Sequence, residues 1–219
     1  MSVITIFGQV GAGDHFVAKK VAENLGYHLV DRPLIEEVLK QYGIVDYEQL
    51  LDTPSRLFDG LADDKRNAND LLNSLYLLFA QRGNVVILSR RAFISLEPFI
   101  NVFTVFLKAA KSERIKYIMR EMSMDARAAE EYIAKEEEKS RGIVESIYNR
   151  KWDSMKPWTL IVDTHKLGLE KVITMITDAN SKIAEADGYF GWEDGIPTTD
   201  TIETDPIMEK AVDALMAYK

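Results

Sequence analysis

The sequence contains no cysteine, which excludes disulfides, thiolate catalysis and cysteine-ligated zinc. It has no apolar run near the ~18–20 residues that a membrane span requires. Its start, MSVITIFGQVG, lacks the basic residues and small-residue cleavage site of a secretory leader and runs straight into a strand. These absences predict a cytoplasmic protein with no membrane partner. Basic charge is also short, with 27 Lys and Arg against 35 Asp and Glu and a net charge of −8. That balance argues against a nucleic-acid polymer as partner, which needs a basic face. It leaves room for a small anionic ligand, because a local pocket can be basic inside an acidic protein. His15, His28 and His165 show no metal-ligand spacing, so no protein-held metal is expected.

What is present reads as alternating strands and helices. Val3–Phe7, Tyr27–Val30, Asn84–Leu88, Asn101–Leu107 and Trp158–Val162 are short apolar, β-branched runs. Between them lie helical spacings: Phe16, Val17, Val21 and Leu25 before Gly26; Leu34, Ile35, Val38 and Leu39 before Gly43; and a stretch over 67–82. A long helical stretch over 112–150 is interrupted near Asp125, an N-cap candidate, and a last helix runs from about 168 to 186. Residues 44–65 are less regular and predict short helices in a connection. Five strands separated by helices predict an α/β three-layer fold, a parallel sheet with helices on both faces. After Asp187 the composition shifts to Gly, Thr, Pro and acid. From Gly188 onward seven acids face two lysines, so this tail holds −5 of the net charge. Ile207, Ala211, Val212, Leu215 and Met216 then fall at amphipathic spacing. Residues 188–219 therefore read as an acidic linker and a terminal helix that docks on the body or on a partner, a homodimer included.

Gly8-Gln9-Val10-Gly11-Ala12-Gly13-Asp14-His15 has the spacing of the P-loop G-x-x-x-x-G-K-[ST] without its last two residues. A P-loop wraps backbone N–H groups around phosphate and adds the positive end of the following helix. Its lysine neutralises β/γ oxygens and its hydroxyl holds magnesium. Here the backbone part survives and the side-chain part does not. Two unit charges ~4 Å apart at an effective dielectric of ~20 interact by about 4 kcal/mol. An aspartate in place of the lysine therefore works against phosphate, and a histidine is a poor ligand for hard magnesium.

Five separated segments, in order over about residues 3–180, resemble the cytidylate kinase-like branch of the nucleoside monophosphate kinases. They are ITIFGQVGAGDHFVAKKVAENLG, YHLVDRPLIEEV with its Asp31–Arg32 pair, VVILSRRA with Ser89, Arg90 and Ala92, EEKSRGIVESIYNRKW, and LIVDTHKLGLEKVI. That branch has Gly-Gly-Arg where other P-loops have Gly-Lys-Ser, so the lysine is already missing there. This chain departs further, with Asp14 and His15 at the second glycine and the arginine. The resemblance implies a P-loop NTPase core over residues 1–187 with a helical lid at about 123–152, nucleotide substrates, and ATP and Mg2+ as cofactors.

Without the loop lysine, cations must come from elsewhere, and arginine suits this because it binds phosphate bidentately. Arg90 and Arg141 are the candidate catalytic cations, with Lys139 and Arg150 as further phosphate ligands on the lid; a solvated ion-paired face is the alternative for Lys139 and Arg141. Arg114 follows the fourth strand by less than two helical turns and either faces the cleft or pairs at the surface with Glu113 or its neighbours. Asp31 either orients the acceptor nucleotide or acts as a base, or else caps the helix beginning near Pro33. Thr164 either contacts a base or caps the helix after it. Three functions stay open: a monophosphate kinase with cytidylate as the default acceptor, a catalytically inactive nucleotide-sensing or protein-interaction module, and a kinase for another small acceptor.

Overall fold

The computed structural model describes residues 2–41, 62–148, 158–185, 197–204 and 206–217. The connecting region expected at 44–65 and Arg150 therefore lie largely or wholly outside the described residues. In chain order the strands are β1 (Val3–Gly8), β2 (His28–Val30), β3 (Val85–Leu88), β4 (Val102–Lys108) and β5 (Leu160–Asp163). The helices are α1 (Asp14–Leu25), α2 (Arg32–Gln41), α3 (Ala62–Arg82), α4 (Ala92–Leu96), α5 (Lys111–Met122), α6 (Ala126–Tyr148), α7 (Thr164–Leu167), α8 (Leu169–Glu185) and α9 (Pro206–Met216).

All five expected strands form one parallel sheet of order β2-β3-β1-β4-β5. The order places β1 at the centre, flanked by β3 and β4, which is why its six residues are all buried. Side chains of a strand alternate between faces, and β1 divides its residues accordingly. Val3 joins a cluster with Ile35, Leu39, Leu72 and Phe79, while Ile4 and Ile6 join one with Val17, Val21, Val172 and Ile176. The sheet is thus covered by α2, α3 and α4 on one face and by α1 and α8 on the other. The five-stranded three-layer α/β fold expected from the sequence is the one observed.

Local signals explain several boundaries. Gly26 ends α1 in the left-handed conformation, with its N–H on Ala22 and Glu23 carbonyls. Asp125 accepts from the Ala128 N–H at 2.8 Å and starts α6 as an N-cap. The helix expected from about 168 is α8, and Gly168 at φ 79° separates it from the short α7 that precedes it. Helix α3 begins at Ala62, earlier than the apolar spacing of its second half indicates. Trp158 stacks with Phe7 and Phe106 at centroid distances of 5.9 and 5.0 Å, a packing role under the sheet end. Among the described residues no helix is long and apolar enough to cross a membrane.

The terminal helix docks on its own chain. Met208 and Val212 are buried in the cluster that contains Val38, Leu39 and Leu75. Arg82 at the end of α3 makes a two-pronged ion pair with Asp213, at 2.6 and 3.0 Å. Gln81 donates to the Ile202 carbonyl at 2.7 Å, and Asn101 donates to Thr199 Oγ1 at 2.8 Å. Of the two occupants expected for the apolar stripe of α9, the body of the protein is the one found. Met208→Ala is therefore expected to lower the unfolding free energy by roughly 2–3 kcal/mol. Urea denaturation checks this, and a loss under 1 kcal/mol at unchanged slope contradicts the packing.

Candidate functional site

In an open parallel α/β sheet, ligands bind outside the carboxyl ends of the strands. Here those ends carry the glycine loop after β1, Asp31 after β2, Ser89–Arg91 after β3 and Thr164 after β5. The loop is held from behind. The Gln9 N–H donates to the Leu107 carbonyl at 2.9 Å, its side chain accepts from the Ala109 N–H at 3.1 Å, and the Ala12 N–H closes a turn on the Gln9 carbonyl at 2.8 Å. Gly11 has φ 85°, and a Cβ there would meet the Arg114 carbonyl oxygen at 2.7 Å. Arg114 is 6 % exposed. Its Nη1 donates to the Val10 carbonyl at 3.0 Å and to Glu137 Oε1 of α6 at 2.6 Å, so it joins the loop to α6. Its Nε has no partner among the described residues.

A cavity of about 270 Å3 opens beside the loop, lined by Asp14, His15, Asp31, Arg32, Tyr76, Ser89, Arg90, Arg91 and Glu136, with Phe7, Ile35 and Ile143 among its apolar walls. Asp14 is partly buried and its carboxyl packs against the end of β1, where a Cβ on Gly8 would lie 3.5 Å from the Asp14 Cγ. Burial pushes this carboxyl up from its ordinary range, against the pull of the Arg90 guanidinium and of the His15 and Asp14 backbone N–H groups. Arg90 donates to Glu136 Oε2 at 3.1 Å, and Lys139 lies 3.2 Å from Glu136 Oε1. Burial acts to raise the Glu136 pKa, but the hydrogen bonds from Arg90 and Lys139 outweigh it and hold the group ionised below the usual range. Ser89 Oγ donates to the Tyr76 hydroxyl at 2.8 Å and accepts from the Arg91 and Ala92 N–H groups, which fixes the turn that presents Arg90 and Arg91.

The family model that matches the chain is that of the cytidylate kinase-like family, over residues 3–166. The chain belongs to the cytidylate kinase-like family. Curated relatives include a cytidylate kinase of Methanocaldococcus jannaschii, 25% identical over 180 residues that cover 81% of this chain and 96% of the relative. Another, from Ignicoccus hospitalis, is 29% identical over 177 residues covering 80% and 97%. Among solved structures, an uncharacterized protein from Eubacterium ventriosum superposes with a TM-score of 0.59 at 21% identity, covering 83% of this chain and 99% of that one.

Within this cytidylate kinase-like frame the cavity brings together Asp14, His15, Asp31 and Arg90. Gly8, Gln9, Gly11, Ala12 and Gly13 form the loop beside it, and Lys139 pairs with Glu136 of its lining. Asp31 caps α2, its Oδ1 accepting from the Leu34 N–H at 3.2 Å, while also lining the cavity. Thr164 is buried and donates to the Lys108 carbonyl at 3.3 Å rather than lining the cavity. Arg141 is likewise absent from the lining: its side chain is 52% exposed and sits 3.8 Å from Glu138. At 100° per residue it lies about 140° around α6 from Glu136, so the two cannot share a face. Of the two placements open to Arg114, surface pairing is not the one found: it is buried and held against the glycine loop. Arg91, also buried in the lining, was passed over in favour of its neighbour.

The loop backbone fits a phosphate, with Gly11 and Gly13 at φ 85° and 83° and α1 starting directly after. An ionised Asp14 does not. Among the described residues no three His, Asp or Glu side chains gather to hold a metal, so magnesium would be held chiefly by nucleotide oxygens and water. Gly11→Ala is expected to cost about 1–3 kcal/mol, from the left-handed backbone and the backbone clash together. Gly26→Ala has a similar φ of 66° with nothing within 4 Å and serves as the open control. Equal losses at the two positions in chemical denaturation would contradict the packing of the loop on α5.

Proposed function

We propose that the protein is an ATP-dependent nucleoside monophosphate kinase of the cytidylate kinase type, with cytidylate as its default acceptor. One arrangement supports the reading above all: Arg90, Arg91 and Arg32 line a single cavity between the glycine loop and the start of α2. Phosphoryl transfer is mostly positioning and neutralisation of charge on the transferring group, and guanidinium groups supply both. In this reading an oxygen of the acceptor monophosphate forms a bond to the γ-phosphorus as the bond to the bridging oxygen breaks and ADP leaves. Arg90 stabilises the charge on the moving group. Glu136 and Lys139 hold Arg90 in place, and Asp31 orients the acceptor while it caps α2. Curated relatives named cytidylate kinase, matched over nearly their whole length, support the same activity. The partners are nucleotides in a cytoplasmic setting. No second copy of the chain is invoked, since α9 spends its apolar stripe inside the molecule.

Asp14 favours a second reading, a nucleotide-binding member of the family that does not turn over. Incubation with ATP, magnesium and a panel of monophosphates separates the two. The first reading expects a diphosphate product, and Arg90→Ala should lower kcat by about 10²-fold or more at unchanged melting temperature. Nucleotide-dependent thermal stabilisation with no product from any acceptor would establish the second reading instead.

A further inference from the structure

The phosphate seat of a glycine loop is the point at which the loop N–H groups and the start of the helix converge. In this chain the Asp14 carboxyl stands at the start of that helix, beside the loop. It lies on the first residue of α1, packs against Gly8, and is polarised by the N–H groups of Asp14 and His15. The loop cannot move aside to make room, because Gly11 is pressed on the Arg114 backbone and Val10 is held by its guanidinium. A phosphate entering the loop meets this negative charge at close range.

The charged groups around Asp14 are countable. Arg90 faces it from the turn after β3, His15 adjoins it on α1, and Tyr117 approaches from α5. Glu136 of α6 takes a hydrogen bond from Arg90, which divides the guanidinium between two carboxylates. Across the whole lining Asp14, Asp31 and Glu136 offset Arg32, Arg90 and Arg91, so the ionised cavity is formally neutral and selects no polyanion. A proton on Asp14 leaves the lining one charge positive. It also converts the carboxylate from a repelling acceptor into a donor toward a phosphate oxygen. Glu136 does not fill this role, because two cations keep it ionised.

We propose that phosphate binding at the glycine loop is coupled to the uptake of one proton by Asp14, which makes this residue a specificity determinant of the site. The proposal rests on the reading that the loop takes a nucleotide phosphate. Partial burial already disfavours the ionised form of Asp14, and an incoming phosphate disfavours it further. Affinity should then fall as pH rises through and above the free protein's Asp14 titration, with a slope of up to tenfold per pH unit.

Calorimetric titration of the full chain tests this, with ADP plus magnesium and separately with inorganic pyrophosphate. Each titration is run at several pH values in two buffers of different ionisation enthalpy, for the natural protein, Asp14→Asn and Asp14→Gly. The difference between natural protein and variants cancels the titration of the probes themselves. The expected result is close to one extra proton taken up by the natural protein, a pH slope that both variants lose, and tenfold or greater tightening in the variants at the highest pH. Identical proton numbers and slopes in all three proteins would overturn the coupling and leave phosphoryl transfer standing. Binding by the variants alone, at every pH, would overturn it in favour of a permanent block. No binding of either probe by any of the folded proteins would overturn the loop as a phosphate site altogether.

Discussion

A glycine loop binds phosphate only if successive backbone N–H groups point at one place, and here that geometry rests on the contact between the loop and α5. Gly11 lies so close to the Arg114 carbonyl that no side chain fits between them, and the Arg114 guanidinium holds the Val10 carbonyl from the same side. The contact spans more than a hundred residues of sequence and buries an arginine against the loop. It also reaches α6, because the same guanidinium donates to Glu137. Loop, α5 and α6 are thereby one connected unit. The remaining freedom of the site lies in side chains at its mouth, and the first of these is Asp14.

The balance of charge follows from that placement. A lysine in a P-loop attracts phosphate; an aspartate at the start of the helix satisfies the same N–H groups from within the chain. The three arginines of the cavity compensate only when one of the three carboxylates is neutral. Glu136 is tied to Arg90 and Lys139, and Asp31 is engaged in capping α2. Asp14 is the carboxylate whose surroundings favour the proton. The turn after β3, set by the hydrogen bonds of Ser89, supplies two of the three arginines of the cavity.

Much of the architecture was legible because its signals are local. Buried parallel strands are short apolar runs, Gly26 and Asp125 end and begin helices by their own chemistry, and the stripe on α9 has to be covered by something. The sheet end lay in view too, so Asp14, Asp31 and Arg90 were found together. What escaped notice depends on rotation or on distance. Arg141 sits on the wrong side of α6, a matter of about 140° that a run of charged residues conceals. The choice between the two placements of Arg114 depends on a loop more than a hundred residues away in sequence. The early start of α3 carries polar residues with no apolar period to reveal it, and the four-residue α7 is too short to show one.

Burial puts the Asp14 carboxylate out of favour in its ionised form, which has a consequence for stability with no ligand present. A carboxyl whose pKa is raised by folding loses stability for the native state as pH rises from the ordinary carboxylate range to the folded value. Thermal unfolding of the natural protein and of Asp14→Asn, followed from pH 4 to pH 8, measures this directly. The predicted result is a gap in melting temperature that moves in favour of Asp14→Asn as pH rises through that range and then levels off. Two curves that stay parallel across the whole range would contradict it.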